Sequence, residues 1–404
     1  MPVIGIYNPV CGDQTAKSFF EEQVFPLCER YSISVSSILG TERVNHVGEL
    51  VQQALEKTPV TEVLTIILGS GDGTLHEMIN YLSSTELRGR AGIPPEIHLV
   101  IIPCGTANAL FSSLFPADPG ESSDTSSIEY RLQSLRSFIK GPDSHLVPLT
   151  LAITTLSSPP NTRLRPKAIA STVVVSTSLH ASILHDSECL RDEMPGIERF
   201  KVAAEQNSTK WYNSSAKILP VASLGIVQLY DPDTKEFISH PDADEDDPFV
   251  DLYGPFAYFV STVNVDRLEP AFRITPLAKD ITPSEATCDL VVVRPFSDPT
   301  VSMDTPEARE IFSTKLWDIM KAAYENGNHI NLQYDEEGNL TTEGEGPLVV
   351  EYIRCGGWEW IPDDMDDDAH LICLDGAIST IEKGGRAVCV AATPQAKAGF
   401  MVHG

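Results

Sequence analysis

The first third of the chain alternates short runs of β-branched residues with segments that carry apolar residues at a spacing of three to four. This alternation predicts a parallel β-sheet covered by helices, because parallel neighbours need a crossover connection that is usually helical. The loops that follow the strands then share the carboxyl edge of the sheet, where ligands of such folds bind. The predicted strands are Val3–Tyr7, Ile33–Leu39, Val63–Leu68 and His98–Ile102, and the predicted helices are residues 16–31, 42–56 and 75–82.

Beyond Pro148 the pattern changes to many strand-like runs, interrupted by one clear amphipathic helix over residues 305–324. We therefore expect an α/β domain over residues 1–146, with helices on both faces of its sheet, and a mainly antiparallel, β-sandwich-like domain over residues 147–404. Two acidic tracts in the second domain, Asp242–Asp247 and Asp363–Asp368, are predicted to be solvated loops rather than metal sites, because adjacent like charges repel.

The charge balance limits the partners. The chain has 29 Lys and Arg against 57 Asp and Glu, a formal net charge of −28, which repels phosphate polymers and anionic bilayers. Nucleic acid is therefore not an expected partner. No apolar run reaches the roughly 18–20 residues of a membrane span, and the N-terminus begins with a strand-like run instead of a signal peptide. The eight scattered cysteines indicate reduced, buried thiols, and we expect a cytoplasmic protein.

The segment with the most chemical information is Gly69-Ser70-Gly71-Asp72-Gly73-Thr74, between a buried strand and a helix. Glycines let the backbone approach a phosphate, and the helix N-terminus offers free N–H groups and a positive dipole end. No Lys follows, and the spacing does not match the dinucleotide fingerprint. Asp72 would repel a phosphate unless it bridges through a metal ion or acts as an acid/base group. The alternative is that Asp72 merely caps its helix.

Two further polar turns follow other strands of the predicted sheet. Asn8-Pro9-Val10-Cys11-Gly12 comes after the first strand, and Pro103-Cys104-Gly105-Thr106-Ala107-Asn108 comes after the fourth. Turns of this kind at one sheet edge could hold a triphosphate and an adenosine. The order of the three turns resembles the catalytic domain of the diacylglycerol kinase and sphingosine kinase superfamily of lipid kinases.

Other segments are similar to the sphingosine kinase branch. They are Thr41-Glu42-Arg43 with His46 and Glu49-Leu50, and Ser178-Leu179 followed by Asp186-Ser187-Glu188, Arg191 and Arg199-Phe200. The resemblance implies transfer of the γ-phosphate of ATP, with Mg²⁺, to the primary hydroxyl of a sphingoid base, and transient peripheral contact with a membrane. It makes Asp72 the general base or a partner of Mg²⁺. It places Ser178 and Asp186 at the substrate, where Asp186 receives the ammonium group. The implied nucleotide-site residues are Asn8, Thr41, Ser70, Gly71, Gly73, Glu77, Gly105, Thr106, Arg191, Arg199 and Asp375.

One departure from the family pattern keeps alternatives open. The family has Asp-Gly-Glu near the C-terminus, close to nucleotide and metal, whereas this chain has Asp375-Gly376-Ala377. Asp375 alone could suffice, Glu382 could substitute for the missing carboxylate, or the chain could be a catalytically weakened protein that binds lipid or nucleotide. Within the kinase interpretation, the acceptor could instead be diacylglycerol or ceramide, or NAD.

Overall fold

A computed structural model describes residues 2–85, 94–117, 125–141, 145–159, 166–194, 196, 198–244, 246–393 and 395–404. The chain divides into two units. The first unit comprises Met1–Thr150, Leu268–Pro270 and Thr393–Gly404, and the second comprises Leu151–Arg267 and Ala271–Ala392. Two segments beyond residue 146, Leu268–Pro270 and Thr393–Gly404, thus belong to the first unit.

Strands and helices alternate along the first unit, as predicted. The strands are β1 (Val3–Tyr7), β2 (Ser37–Gly40), β3 (Leu64–Ser70), β4 (Ile97–Pro103) and β5 (Leu146–Pro148). The helices are α1 (Ala16–Phe19), α2 (Phe25–Arg30), α3 (His46–Lys57), α4 (Asp72–Ser84), α5 (Ala109–Leu114), α6 (Ile128–Arg131) and α7 (Gln133–Ile139). A π-helical turn, Phe20–Val24, joins α1 to α2.

The second unit is mainly β-structure. Its strands are β6 (Leu151–Ser157), β7 (Lys167–Ser171), β8 (Val174–Thr177), β9 (Ser214–Leu219), β10 (Gln228–Asp231), β11 (Glu236–Ser239), β12 (Val250–Tyr253), β13 (Tyr258–Thr262), β14 (Cys288–Val293), β15 (Gln333–Tyr334), β16 (Leu340–Thr341), β17 (Glu351–Cys355), β18 (Gly357–Pro362), β19 (Leu371–Leu374), β20 (Ala377–Thr380) and β21 (Arg386–Ala392). Its helices are α8 (Ser178–Cys189), α9 (Glu198–Asn207), α10 (Leu277–Asp280) and α11 (Pro306–Tyr324). The last strand, β22 (Phe400–His403), belongs to the first unit.

The sheet of the first unit has the strand order β2-β1-β3-β4-β22-β5. Its pairs are parallel except for β22 with β5. The hydroxyls of Ser134 and Ser137 donate to the carbonyls of His403 and Gly404 at 2.7 and 2.9 Å and fix the C-terminus beside α7. The sequence did not predict β22 in this sheet, because its partner strand β4 lies about three hundred residues away and leaves no local signal.

Both faces of this sheet are buried, which confirms the predicted α/β architecture. On one face Ile67 and Val100 pack with Phe20 and Leu135 from the helices on that side. The neighbouring residue Ile66 points to the opposite face of the sheet and is also fully buried.

The second unit is a sandwich of two antiparallel sheets, as predicted. Their orders are β11-β10-β17-β14-β13-β8-β19-β20 and β12-β9-β18-β21-β6-β7. Phe259 and Ile353 of the first sheet pack with Trp358, Trp360 and Cys389 of the second in one buried cluster. Large aromatic side chains thus fill the space between the sheets, where they bury the most apolar area.

The helices of the second unit were only partly predicted. Helix α11 is confirmed, and Thr305 is its N-cap, accepting the N–H of Ala308 at 3.2 Å. β7 and β8 belong to different sheets, and α8 begins at Ser178, directly after β8, where we predicted no helix. No helix in the described ranges is long and apolar enough to cross a membrane.

Candidate functional site

The glycine turn joins β3 directly to α4. β3 is buried along its whole length and ends at Ser70, and Gly71 is the extended N-cap of α4. A β-carbon added to Gly105 would lie 2.5 Å from the Cα atom of Gly71, far inside van der Waals contact. The two turns after β3 and β4 therefore pack backbone to backbone, which requires glycine at the contact.

Asp72 links the same two turns through its side chain. Its Oδ2 atom accepts the N–H of Ala109 at 2.7 Å, and its Oδ1 atom accepts the N–H of Leu110 at 3.3 Å. These are the first two residues of α5, so the Asp72 carboxylate caps that helix. Asp72 therefore does cap a helix, as the alternative interpretation proposed, but the helix is α5 and not its own helix α4.

Asn108 shapes the second turn. Its φ of 52° is in the left-handed region, its Oδ1 atom accepts the N–H of Gly105 at 2.8 Å, and its Nδ2 atom donates to the Gly105 carbonyl at 2.9 Å. Asn tolerates this conformation better than most residues because its side chain hydrogen-bonds locally. We did not predict this role, although an Asn in a Gly-rich turn before a helix is a recognisable signal for it.

The first turn meets the other two at the same sheet edge. The Nδ2 atom of Asn8 donates to the Thr74 hydroxyl at 2.9 Å, and the backbone N–H of Asn8 donates to the Gly69 carbonyl at 2.9 Å. Gly12, with φ of 51°, lies so close to the second turn that a β-carbon would be 2.3 Å from the carbonyl oxygen of Cys104. The predicted convergence of the three turns is therefore observed, and Thr74 joins the site as a residue that sequence reasoning missed.

Two other predicted nucleotide-site residues support the loops around this edge. The backbone N–H of Thr41 donates to the Tyr7 carbonyl at 2.9 Å, at the end of β1. The Oε2 atom of Glu77 accepts the N–H of Asn45 at 2.9 Å, and this bond ties α4 to the turn before α3. Glu77 thus has a visible structural role, and its role toward a nucleotide stays a prediction.

The space enclosed between the two glycine turns is small. Ser70, Gly71, Asp72 and Asn108 line a cavity of about 20 Å³, which has room for roughly one water molecule. This cavity is too small to hold a phosphate group. Gly73 and Thr106 are exposed to solvent, and nothing lies within 4 Å of a β-carbon position at Gly73.

The predicted substrate residues lie in the second unit, at the start and end of α8. Ser178 is buried and has a left-handed φ of 55°. The Oδ1 atom of Asp186 is 2.8 Å from Nδ1 of His185, and its Oδ2 atom accepts Nδ2 of Asn207 at 2.7 Å. Burial raises the pKa of the Asp186 carboxyl, but the bonds from Asn207 and His185 outweigh burial, and the pKa lies below its usual value. Asn207, which was not predicted, therefore holds Asp186.

The two predicted arginines lie close together at the connection from α8 to α9. Arg199 is buried, its guanidinium lies 4.5 Å from the ring centre of Phe200, and its pKa is lowered by burial and by the positive charge of Arg191. Arg191 is exposed and pairs with Glu188 at 2.8 Å. The structure thus concentrates two guanidinium groups in a chain that has few cations.

Asp375 has a structural function in the second unit. Its carboxylate accepts the backbone N–H groups of Thr172, Val173 and Val174 at 2.7, 2.9 and 2.9 Å, and its φ of 50° is left-handed. The carboxylate therefore joins the turn between β19 and β20 to the turn between β7 and β8. Its role in nucleotide binding remains a prediction, and Ala377 at the start of β20 adds no carboxylate.

The carboxylates near the predicted site could supply few ligands to a metal ion, so phosphates would have to supply most of them. Within the described ranges no group of three or more His, Cys, Asp or Glu side chains could hold a metal. Asp375 does not fit a ligand role, because it is buried and accepts three N–H groups. Asp72 fits better, since it is half-buried and lies at the glycine turns. Mg²⁺ commonly takes one or two protein carboxylates and completes its shell with phosphates and water.

Residues 2–134 match the family model of the diacylglycerol kinase catalytic domain. That segment contains all three turns and Asp72. This part of the chain is therefore similar to the catalytic domain of diacylglycerol kinases. No curated protein matches the chain.

Three solved structures are similar to the whole chain. A candidate diacylglycerol kinase from Bacillus anthracis strain Sterne is 14% identical with a TM-score of 0.51, and the match covers 96% of this chain and 92% of that one. A second structure of a diacylglycerol kinase from the same strain is 13% identical with a TM-score of 0.45, covering 96% and 93%. Yeast NADH kinase in complex with NADH is 9% identical with a TM-score of 0.38, covering 100% and 84%. The first of these likenesses supports the fold.

Proposed function

We propose that this chain is an ATP-dependent lipid kinase that transfers the γ-phosphate of ATP to the primary hydroxyl of a sphingoid base. The observation that carries the proposal is the pair of glycine turns that Asp72 holds against each other. Such an arrangement offers the N-terminus of α4 to an anion, with a carboxylate beside it.

In the proposed reaction the lipid hydroxyl oxygen attacks the γ-phosphorus while the bond from that phosphorus to the β,γ-bridging oxygen breaks. Asp72 accepts the hydroxyl proton on a carboxylate oxygen, and ADP leaves with the bridging oxygen. The backbone N–H groups of the turns hold the phosphates in line. Asp72 is also the residue that would hold Mg²⁺, which supplies neutralisation of phosphate charge.

The two arginines of the second unit support a phosphate-binding role. Arg199 is buried, and the nearby positive charge of Arg191 lowers its pKa, so an anion such as phosphate would be attracted by both guanidinium groups. Arg is well suited to phosphate because its planar donors can bind two oxygens at once. We therefore assign Arg191 and Arg199 to the nucleotide or the phosphorylated product.

The choice of a sphingoid base depends on Asp186. Its lowered pKa means that the carboxylate stays ionised at neutral pH, which suits an ammonium group. A neutral acceptor such as diacylglycerol or ceramide is the second candidate. It is favoured by the contacts of Asp186 with His185 and Asn207, which already occupy both carboxylate oxygens.

The test is lipid phosphorylation by the purified full chain with Mg²⁺ and labelled ATP. Sphingosine, diacylglycerol and ceramide are supplied in parallel, and Asp72→Asn serves as the inactive control. We expect Asp72-dependent labelling of sphingosine. We also expect Asp186→Asn to lose sphingosine phosphorylation while ATP binding is kept. Equal loss with a neutral lipid would exclude the amine-binding role, and no lipid-dependent transfer at all would leave the weakened binding protein suggested by Ala377.

A further inference from the structure

The second unit contains a cavity that none of the predicted site residues lines. Its volume is about 590 Å³, within the range of about 300–1,000 Å³ that is typical of small-molecule sites. The lining comes from β10, from the β10–β11 turn, from residues 281–287 that link α10 to β14, and from Arg354 of β17.

Thr287 is a buried lining residue with an unused hydroxyl. It is 8% exposed, and its Oγ1 atom has no hydrogen-bond partner among the described residues. A buried hydroxyl without a partner destabilises the protein, because it loses its bonds to water. A ligand in the cavity that offers an oxygen acceptor would restore the missing bond.

The cavity lining includes a positively charged residue, Lys235, and a negatively charged one, Glu285. Lys235 is exposed in the β10–β11 turn. Glu285 is half-buried, and its Oε1 atom accepts both the backbone N–H of Ser223, at 3.3 Å, and the Ser223 hydroxyl. Neither residue forms an ion pair within the described ranges. Arg354 contributes little net charge, since Asp289 binds its guanidinium at 2.7 and 2.9 Å. The available groups are therefore an ammonium and a carboxylate, which together suit a zwitterion.

Two large apolar side chains of the lining are exposed. Leu224 is 51% exposed and Ile281 is 36% exposed. Their exposure in water is unfavourable, and transfer into hydrocarbon would recover the free energy of apolar burial. Exposed apolar residues around a polar cavity match the arrangement of a phospholipid, whose headgroup adjoins its acyl chains.

We propose that this cavity binds the headgroup of a zwitterionic phospholipid and thereby docks the protein on a membrane. A phosphate oxygen accepts the Thr287 hydroxyl, Lys235 pairs with the phosphate, and Glu285 pairs with the amine, while Leu224 and Ile281 enter the acyl region. The net charge of −28 disfavours anionic lipids, so a headgroup without net charge is the one that this chain can approach. The reason for docking rests on the proposed function, because a lipid kinase finds its substrate in a membrane. Headgroup binding itself requires no kinase activity.

The experiment is co-sedimentation of the full chain with phosphatidylcholine vesicles. We expect Thr287→Val to weaken binding about tenfold without lowering the thermal midpoint, because it removes a hydroxyl that has no partner in the protein. Thr287→Ser keeps the hydroxyl and should bind as the wild type does. Leu224→Asp should also weaken binding by about tenfold or more, whereas Val60→Asp, the same change at an 80% exposed residue of the first unit, should not.

Three results would overturn the proposal. They are equal vesicle binding by Thr287→Val and the wild type, tighter binding to phosphatidylglycerol than to phosphatidylcholine vesicles, and binding of soluble glycerophosphocholine without binding to vesicles. Kinase activity on sphingosine in detergent micelles separates this proposal from the proposed function. Thr287→Val should keep that activity, and vesicle binding by a chain that lacks all kinase activity would refute the proposed function alone.

Discussion

Asp72 has a structural function and, in the proposed reaction, the function of a base, and a pair of substitutions can separate these two. Its carboxylate caps α5 through the N–H groups of Ala109 and Leu110, and in the proposed reaction the same carboxylate accepts a proton. Asp72→Ala removes both functions. Asp72→Asn removes the charge and one acceptor oxygen but keeps an oxygen that can accept one of the two N–H groups.

The stability effect can be worked out from the cap. Ala109 and Leu110 are 3% and 1% exposed, so Asp72→Ala leaves two buried N–H groups without this acceptor. Losing a helix cap costs about 0.5–2 kcal/mol, and a hydrogen bond to a charged group contributes about 1.5–3 kcal/mol. We expect a loss of about 3 kcal/mol in the free energy of unfolding for Asp72→Ala and about 1 kcal/mol for Asp72→Asn.

The two variants should differ in stability but not in catalytic activity. Loss of a general base lowers kcat by about 10²–10⁴-fold, and Asn cannot replace a carboxylate in proton transfer. Both variants should therefore be equally inactive in the lipid kinase assay, although urea denaturation ranks them differently in stability. Activity that follows stability, with Asp72→Asn within tenfold of the wild type, would refute the assignment of Asp72 as the base and leave it as a cap.

Three other predictions concern buried or partly buried charges. Asp375→Ala removes the acceptor of three backbone N–H groups and should lower the free energy of unfolding by about 3–5 kcal/mol, measured by urea denaturation, whereas an unchanged value would contradict its structural role. Burial and neighbouring His98 lower the pKa of His403 to about 4. The folded state then binds fewer protons than the unfolded state, so stability is lost as pH falls below about 6.5. The loss is about 2 kcal/mol at pH 5, and His403→Phe should reduce this pH dependence of unfolding. Asp366→Ala removes the acceptor of the N–H groups of Asn213 and Ala369 and should destabilise by about 1–2 kcal/mol in thermal unfolding. The exposed neighbour Asp367, whose side chain pairs with Lys383, should tolerate the same change.

The parallel sheet could be predicted because its strands leave local signals. β3 and β4 are buried apolar runs that end at glycine turns, and parallel topology then brings their ends to one edge. That reasoning was enough to place Asn8, Asp72 and Gly105 together. The only long-range contacts that this prediction used are the pairings between strands of the sheet.

The missed features depend on contacts that no local pattern contains. β22 pairs with a strand about three hundred residues earlier, and Asp72 caps a helix 37 positions away. Helix α8 was missed because a β-branched run, Val173–Val175, precedes it directly, and the change of direction occurs at Ser178, a non-glycine residue in the left-handed region. Neither β-propensity nor spacing predicts that a serine adopts this conformation.

Some of the carboxylates behind the net charge of −28 have a structural function. Asp72, Asp375 and Asp366 each accept backbone N–H groups of a segment that is distant in sequence, so these carboxylates satisfy turns that would otherwise bury unpaired donors. Asp366 shows that even the tract predicted to be a solvated loop contains such a residue. Backbone N–H groups at the glycine turns are uncharged donors, so in the proposed function they would bind ATP without a surplus of cations.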